Sequence, residues 1–269
     1  MTSVLKYEVE GSIATLTLNR PEVHNALDPE LLCRFVDALA DFDRNPQLRV
    51  AIITGAGAQA FCAGGDLGST LPLLTGDRTP QNAWEQRLLD DPAVKTIAPL
   101  RERPINKPVI AAVNGLCMAA GAEIMLGTDI RVIAEHATVA WPEVRRGLIP
   151  FAGSLVRLSR HIPYCHAMEL LLTGCVISAA DALRMGLVNH VVPGEQVMTR
   201  AMEIAQKIAA NAPLAVQQIK RVAIQADGST LAAGFQMEEE GFRTVMGSAD
   251  AREGARAFME KRAPAYTGK

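Results

Sequence analysis

Aromatic residues are scarce, 4% of the 269-residue chain, and the cysteines are only Cys33, Cys62, Cys117, Cys165 and Cys175. None forms a C-x-x-C pair or a metal-finger spacing, and an odd, scattered set reads as reduced thiols rather than a disulfide framework. Neither sign of charge is in excess: 27 Lys and Arg face 29 Asp and Glu, for a formal net charge of −2. The footprint of a nucleic-acid binder is therefore lacking, and an anionic ligand must be held by local groups rather than by a global field. No apolar run approaches the ~18 residues of a membrane span. Even Val109–Val113 breaks at once on Asn114-Gly115. The opening Met1-Thr2-Ser3-Val4-Leu5-Lys6 has neither the cationic start nor the apolar stretch of a signal peptide. The expectation is a cytoplasmic, soluble protein with no membrane or nucleic-acid partner.

Familiar catalytic signatures are missing too. There is no Gly-x-Ser-x-Gly, no His-Glu-x-x-His and no phosphate loop, so serine hydrolase, zinc enzyme and P-loop readings have no support. The histidines at 24, 136, 161, 166 and 190 show no metal spacing, and no metal is expected; His161 and His166, with Pro163 between them, read as a surface turn. Val50–Thr54 followed by Gly55-Ala56-Gly57 imitates a dinucleotide fingerprint. That device needs a helix opening at the glycines and an acid about 20 residues on, at a strand end. Phe61-Cys62-Ala63-Gly64-Gly65-Asp66 is too glycine-rich for the helix, and Asp77 lies in a Gly- and Pro-bounded loop.

What is present is the balance of an ordinary globular protein, 49% hydrophobic and 21% charged, at a length that suits one large α/β core or a core with a small appendage. Alternation over Leu5–Leu18, with a turn at Gly11-Ser12, predicts a hairpin. Asp28-Pro29-Glu30 predicts a capped helix start, with Leu32, Phe35, Val36 and Leu39 on one face. Arg49–Thr54 and Pro108–Val113 read as buried strands, Ala119–Gly127 as helix, and Ile130–Ile133 and Thr138–Trp141 as extended. A strand–strand–helix unit thus recurs loosely. Gly68–Pro104 is the least regular stretch and reads as a long loop. From about residue 195 the pattern is helical: Ala201, Ile204, Ala205 and Ile208 share a face, then Leu214, Val216, Ile219 and Val222, then a helix over Ala249–Arg262.

Two small-residue junctions follow buried strands: Phe61–Leu67, and Asn114–Glu123 running into a helix. Small residues leave backbone N–H groups unhindered, and a helix N-terminus adds partial positive charge. Two convergent N–H donors make an oxyanion hole. Taken alone, each junction is more simply a tight turn. Glu123 and Glu143 change the balance. Glu123 sits among Ile124, Met125 and Leu126, and Glu143 follows Trp141-Pro142 at a strand end. Charged residues in such apolar company are rarely buried without a role, although each singly could be a surface or salt-bridged residue. One ionised and one protonated carboxyl can deliver water across a double bond.

The chain resembles the crotonase superfamily, the enoyl-CoA hydratase/isomerase fold, over nearly its whole length. The resemblance is carried by Leu16–Leu27 (with Asn19-Arg20-Pro21 and His24-Asn25-Ala26), Ala51–Gly55, Phe61–Leu67, Lys107–Gly115, Trp141-Pro142-Glu143, Gly147–Pro150, Ala179–Val188 and Phe258–Pro264. It implies an α/β spiral of ββα units, residues 1–195, holding the active site. Residues 196–269 would be a helical trimerisation region of a homotrimer or dimer of trimers. It further implies that Gly65 and Ala120 are the oxyanion-hole donors, that Glu123 and Glu143, 20 residues apart as in hydratases, are the catalytic pair, and that an acyl-CoA thioester is the substrate. The segment around Val23 and the turn Ala63, Gly64 and Asp66 would hold CoA, with Phe258 and Lys261 reaching it from a neighbouring subunit. No cofactor is expected, because coenzyme A arrives with the substrate.

Two departures stand out: Ala119-Ala120-Gly121 replaces the usual Gly-Gly-Gly, and Phe151-Ala152-Gly153-Ser154 replaces Gly-Ala-Gly-Gly. The first crowds the thioester with methyl groups; the second puts a phenyl ring near the acyl site. The expected reaction is syn hydration of a trans-2-enoyl-CoA. The alternatives are Δ3–Δ2 isomerisation or another crotonase-type acyl-CoA lyase reaction, and, more remotely, a non-catalytic binding module, which would be expected to carry a basic patch or to lack the acid pair.

Overall fold

Alternation of apolar and polar residues builds the first hairpin. β1 (Leu5–Glu10) and β2 (Ile13–Leu18) pair antiparallel, Leu5 opposite Leu18 and Glu10 opposite Ile13. In this computed structural model residues 3–96, 98, 100–101 and 105–269 are described. Met1 and Thr2 of the opening segment, and residues 97, 99 and 102–104 at the close of the Gly68–Pro104 stretch, lie outside the described residues. Asp28 caps α1 (Pro29–Arg44), its Oδ1 accepting from the Leu31 N–H at 2.8 Å. This satisfies a donor that the first helical turn leaves unpaired. Leu31, Phe35, Leu39 and Phe42 of α1 are fully buried.

The chain then winds through two sheets. β3 (Val50–Gly55) is followed by β4 (Ala60–Cys62), and after an intervening segment β5 (Val109–Val113) is followed by β6 (Leu116–Met118) and α5 (Ala120–Leu126). The intervening segment is not the loop expected from its composition. It contains the short helices α2 (Leu71–Thr75), α3 (Ala83–Asp90) and α4 (Pro92–Thr96). Asn82 caps α3 through its Oδ1, and an Arg78–Glu85 ion pair at 2.9 Å braces the turn before it. These are local polar bonds that hydrophobic periodicity does not register. β7 (Ile130–Ala134) and β8 (Thr138–Ala140) repeat the pattern. They are followed by α6 (Ser154–His161), α7 (Tyr164–Thr173), β9 (Ile177–Ser178), α8 (Ala179–Arg184) and β10 (His190–Val192). His161 therefore closes one helix and His166 lies within the next, rather than the two sharing a surface turn.

One sheet has six strands in the order β1-β2-β3-β5-β7-β10, and the other has four, β4-β6-β8-β9. After the β1–β2 hairpin, each passage of the chain (β3 and β4, β5 and β6, β7 and β8, β9 and β10) gives one strand to each sheet, the spiral that the resemblance implied. Asn114, between β5 and β6, donates from Nδ2 to the carbonyls of Gly55 at 3.0 Å and Gly57 at 2.7 Å. Asn25 does the same for Ala56 and Ala60. These buried amides satisfy the carbonyls freed where the chain passes from one sheet to the other.

Four helices close the chain: α9 (Val197–Ala209), α10 (Pro213–Ala226), α11 (Leu231–Met246) and α12 (Ala249–Met259). α9 lies on β3, β5 and β7. Lys220 of α10 is tied to Asp129 at 2.7 Å, and Arg49 donates to the carbonyls of Ala209 and Tyr266. No helix among the described residues is long and apolar enough to cross a membrane.

Candidate active site

A cavity of about 720 Å³ opens where the ends of β4 and β6 meet α5 and the turn after β8. Gly65, Ala120, Glu123 and Glu143 all line it, with Ala63 and Asp66 on the same wall. Val23, Phe258 and Lys261 do not line it: Val23 sits at the surface in a short 3-10 turn, and Phe258, at the far end of α12, is 82% exposed.

The two small-residue junctions touch. Gly64 has φ +105°, and a Cβ there would lie 2.7 Å from the Ala119 Cβ and 3.4 Å from the Ala120 nitrogen. No other residue fits. Ala119 itself has φ +49° and ψ −125°, a conformation costly for a residue with a side chain. It is the N-cap of α5, so the helix begins at Ala120, one residue later than the composition suggested. Among the described residues, neither the Gly65 nor the Ala120 N–H is taken by a protein acceptor. For Ala120 this follows from its place in the first helical turn, where N–H groups have no intrahelical partner.

The Ala63–Asp66 turn is fastened from below. Arg20 donates to the Ala26 carbonyl at 2.6 Å and pairs with Asp66 at 3.1 Å and Asp28 at 3.2 Å. Burial opposes ionisation of Asp66, but Arg20 and the Gly68 and Ser69 amides outweigh it and hold the carboxyl below its usual range. Arg20 was not singled out from the sequence as a site residue. Its place in Asn19-Arg20-Pro21, directly before the Val23 segment, was the available signal.

Glu123 is 4% exposed, on the buried face of α5. Its Oε1 accepts from the Ala152 N–H at 2.8 Å. Burial, and next the nearby Glu143 carboxylate, push its pKa up to about 7, against the opposing pull of donors on Ala152 and Ser154. Glu143 lies in a 3-10 turn, Pro142–Arg146, just beyond β8. Its Oε2 is buried with no hydrogen-bond partner, and burial raises its pKa, with Arg146 opposing. Two carboxyls that repel each other share protons as a pair. Both carboxyls are thus pushed toward their neutral forms, the condition under which one can give a proton while its neighbour takes one.

Beyond the carboxyls the lining is mostly apolar, with Leu67, Leu71, Leu74, Leu148, Ile149 and Phe151, but Asp66, Thr70, Arg145 and Arg146 also reach it. Arg101 holds its guanidinium 4.4 Å from the centre of the Phe151 ring. Cys62, under the Ala63–Asp66 turn, is fully buried, which pushes its thiol up to about 12 and leaves it neutral. Among the described residues there is no cluster of three or more His, Cys, Asp or Glu able to hold a metal.

Two carboxyls and two unengaged amides thus line one cavity of a two-sheet spiral, and that spiral is of the crotonase class. The chain belongs to the enoyl-CoA hydratase/isomerase family, whose sequence model matches residues 8–269. It is 42% identical to the enoyl-CoA hydratase EchA19 of Mycobacterium tuberculosis, over 96% of this chain and 94% of the relative. It is 36% identical to the (E)-benzylidenesuccinyl-CoA hydratase of Thauera aromatica, over 97% of this chain and 98% of that one. Its fold superposes on the crystal structure of an enoyl-CoA hydratase from Bacillus anthracis with a TM-score of 0.88, at 34% identity, covering 98% and 99% of the two chains.

Proposed function

We propose that this enzyme adds water syn across a trans-2-enoyl-CoA to give the 3-hydroxyacyl-CoA. The observation that carries the reading is the pair Glu123 and Glu143 on one cavity with the amides of Gly65 and Ala120. In this reading the thioester oxygen accepts from both amides, and the partial positive charge of the α5 N-terminus adds to their effect. A water lies between the carboxyls. The ionised one takes its proton as the hydroxyl adds to C3, and the negative charge moves to the thioester oxygen as an enolate. The protonated carboxyl then delivers its proton to C2. The pair ends with one proton, now on the other partner, so no outside acid or base is consumed.

Ala63, Gly64 and Asp66, with the surface residue Val23, are the residues we assign to the CoA moiety, and Phe258 and Lys261 would contribute from a neighbouring subunit. That assignment requires an assembly, a homotrimer or dimer of trimers built through the C-terminal helices. The apolar wall of Leu71, Leu74 and Phe151 suits an uncharged acyl group. A hydration assay with crotonyl-CoA and a longer 2-enoyl-CoA, following loss of the conjugated-thioester absorbance, tests the reaction. Hydration of either supports it. A protein that isomerises a 3-enoyl-CoA but hydrates neither substrate is an isomerase instead.

A further inference from the structure

One amide of the proposed oxyanion pair has a helix behind it, and the other does not. Ala120 opens α5. Gly65 lies in no strand or helix and follows a second glycine, and even a Cβ built on it would meet nothing within 4 Å. Adjacent glycines give a chain wide conformational freedom. Yet a donor stabilises a developing oxyanion only if it is already aimed. Something other than side-chain packing must therefore aim Gly65.

The aiming begins with Leu27, which forms an isolated parallel bridge with Gly65. The Leu27 N–H donates to the Gly64 carbonyl at 2.8 Å, and the Leu27 carbonyl accepts from the Asp66 N–H at 3.0 Å. In such a bridge the residue between the two bonded positions turns its own N–H and carbonyl the other way. Here that residue is Gly65, which lines the cavity. Arg20 fastens both sides of the bridge. Its guanidinium takes the residues flanking Leu27, the Ala26 carbonyl at 2.6 Å and the Asp28 carboxylate at 3.2 Å. The same Nη1 reaches the Asp66 Oδ2 at 3.1 Å, one residue beyond Gly65. The Asp66 Oδ1 accepts from the Gly68 and Ser69 amides, so the carboxylate is held from both ends. Arg20 and both its carboxylate partners are largely buried, which spares these pairs the screening that weakens surface ones.

We propose that Arg20 is a positioning residue for the oxyanion hole: by clamping both neighbours of Leu27 to Asp66, it holds the Leu27–Gly65 bridge shut and keeps the Gly65 N–H aimed at the thioester oxygen. The proposal rests on the reading of Gly65 and Ala120 as the oxyanion donors. Arg20 does not itself line the cavity. Arginine suits the task because one rigid, planar fork serves three acceptors, which a lysine ammonium on its flexible stem does not.

The test reads the thioester carbonyl itself, in butyryl-CoA isotope-labelled at that carbon, an ester with no double bond to hydrate. Infrared difference spectra of the bound parent should show the carbonyl stretch displaced to lower frequency, because two N–H groups donate to its oxygen. In Arg20→Met most of that displacement should be lost. Its kcat for crotonyl-CoA should fall about 10–100-fold, short of the roughly 10²–10³-fold cost of removing a donor outright. Arg20→Lys should lie between the two. A folded Arg20→Met protein that keeps the parent displacement, or loses only affinity for the CoA ester, overturns the proposal. Arg20 would then serve the fold, or the CoA contact of Asp66, and not the amide. If Arg20→Met does not fold, Asp66→Asn takes its place. A side-chain amide has one acceptor oxygen and cannot serve Arg20 and the Gly68 and Ser69 amides together, so a parent-like displacement there overturns the proposal. A parent that shows the displacement, loses it in Arg20→Met and hydrates no enoyl-CoA leaves the positioning role standing and removes the hydratase reading. A parent that displaces nothing removes the amide pair, and the proposal with it.

Discussion

Helices α9 and α10 follow one another and carry similar amphipathic patterns, yet they meet opposite fates. α9 buries Val197, Ala201 and Ala205 against the six-stranded sheet. α10, with Leu214, Val216, Ile219 and Val222 in sequence, buries none of its residues, and Ile219 is 72% exposed. The same holds further on, where Leu231, Phe235, Phe242 and Phe258 are all exposed. A monomer rarely leaves so many large apolar groups on neighbouring helices in water. The spiral buries a continuous core and both carboxyls line its cavity, although Ile149, Phe151, Tyr164 and Leu172 around it are exposed too; the last three helices bury hardly any of their own apolar surface. Amphipathic periodicity states that a face will be covered, and not by what.

The largest effect that would test this division concerns chemistry. Glu123→Gln and Glu143→Gln should each lower crotonyl-CoA hydration by roughly 10²–10⁴-fold, the usual cost of removing an acid–base group. KM should change little, since neither carboxyl is assigned to the CoA moiety. Full hydration by Glu123→Gln would remove it from the pair.

Stability should divide the same way. Phe35→Ala empties a fully buried site in α1 and should cost about 3–5 kcal/mol by urea titration. Ile219→Asp, on the exposed face of α10, should alter folding stability by no more than about 0.5 kcal/mol. It should instead lower the mass measured by light scattering, from three or six times that of the 28.8 kDa chain. A parent protein of monomer mass would show that the exposed faces serve something other than self-association.

A smaller, sharper effect lies within the carboxyl pair. Part of the rise in the Glu123 pKa comes from repulsion by Glu143. Glu143→Gln removes a negative neighbour, so Glu123 should give up its proton at lower pH than the parent value of about 7. An infrared difference titration of the Glu123 carboxyl, assigned by subtracting Glu123→Gln, reads this directly, and an unmoved midpoint would show that burial alone sets it. Smallest of all is Ala119→Gly. It relieves the positive φ at the α5 N-cap, at the expense of a more flexible unfolded chain, for a net gain of about 1 kcal/mol in urea.

Much of this architecture was legible in the residues. The hairpin, the Asp28-Pro29 helix start and the apolar strands at 50 and 109 follow from period and capping, which act between residues close in sequence. Gly64, Gly65 and Glu123 stood out because small residues and a carboxyl among apolar neighbours are chemically conspicuous. The helices within Gly68–Pro104 were not legible, because each is too short for a period to show and gives the core a single fully inward anchor, Leu73, Leu88 or Val94. Nor were the contributions of Arg20 and Ala152. Each acts on a group remote in sequence, such as the Ala152 amide on Glu123 across 29 residues.

Period and capping placed the hairpin, strands and helices, apolar surroundings marked the candidate carboxyls, and the ordered motifs carried the family resemblance and with it the expectation of the spiral, since these depend on local preference and on residue chemistry. Which amide meets which carboxylate, how far burial and Glu143 raise the Glu123 pKa, and which amphipathic helix is buried depend on distances between segments that the linear order does not contain. Burial and electrostatics act through space, and only the folded chain sets that space.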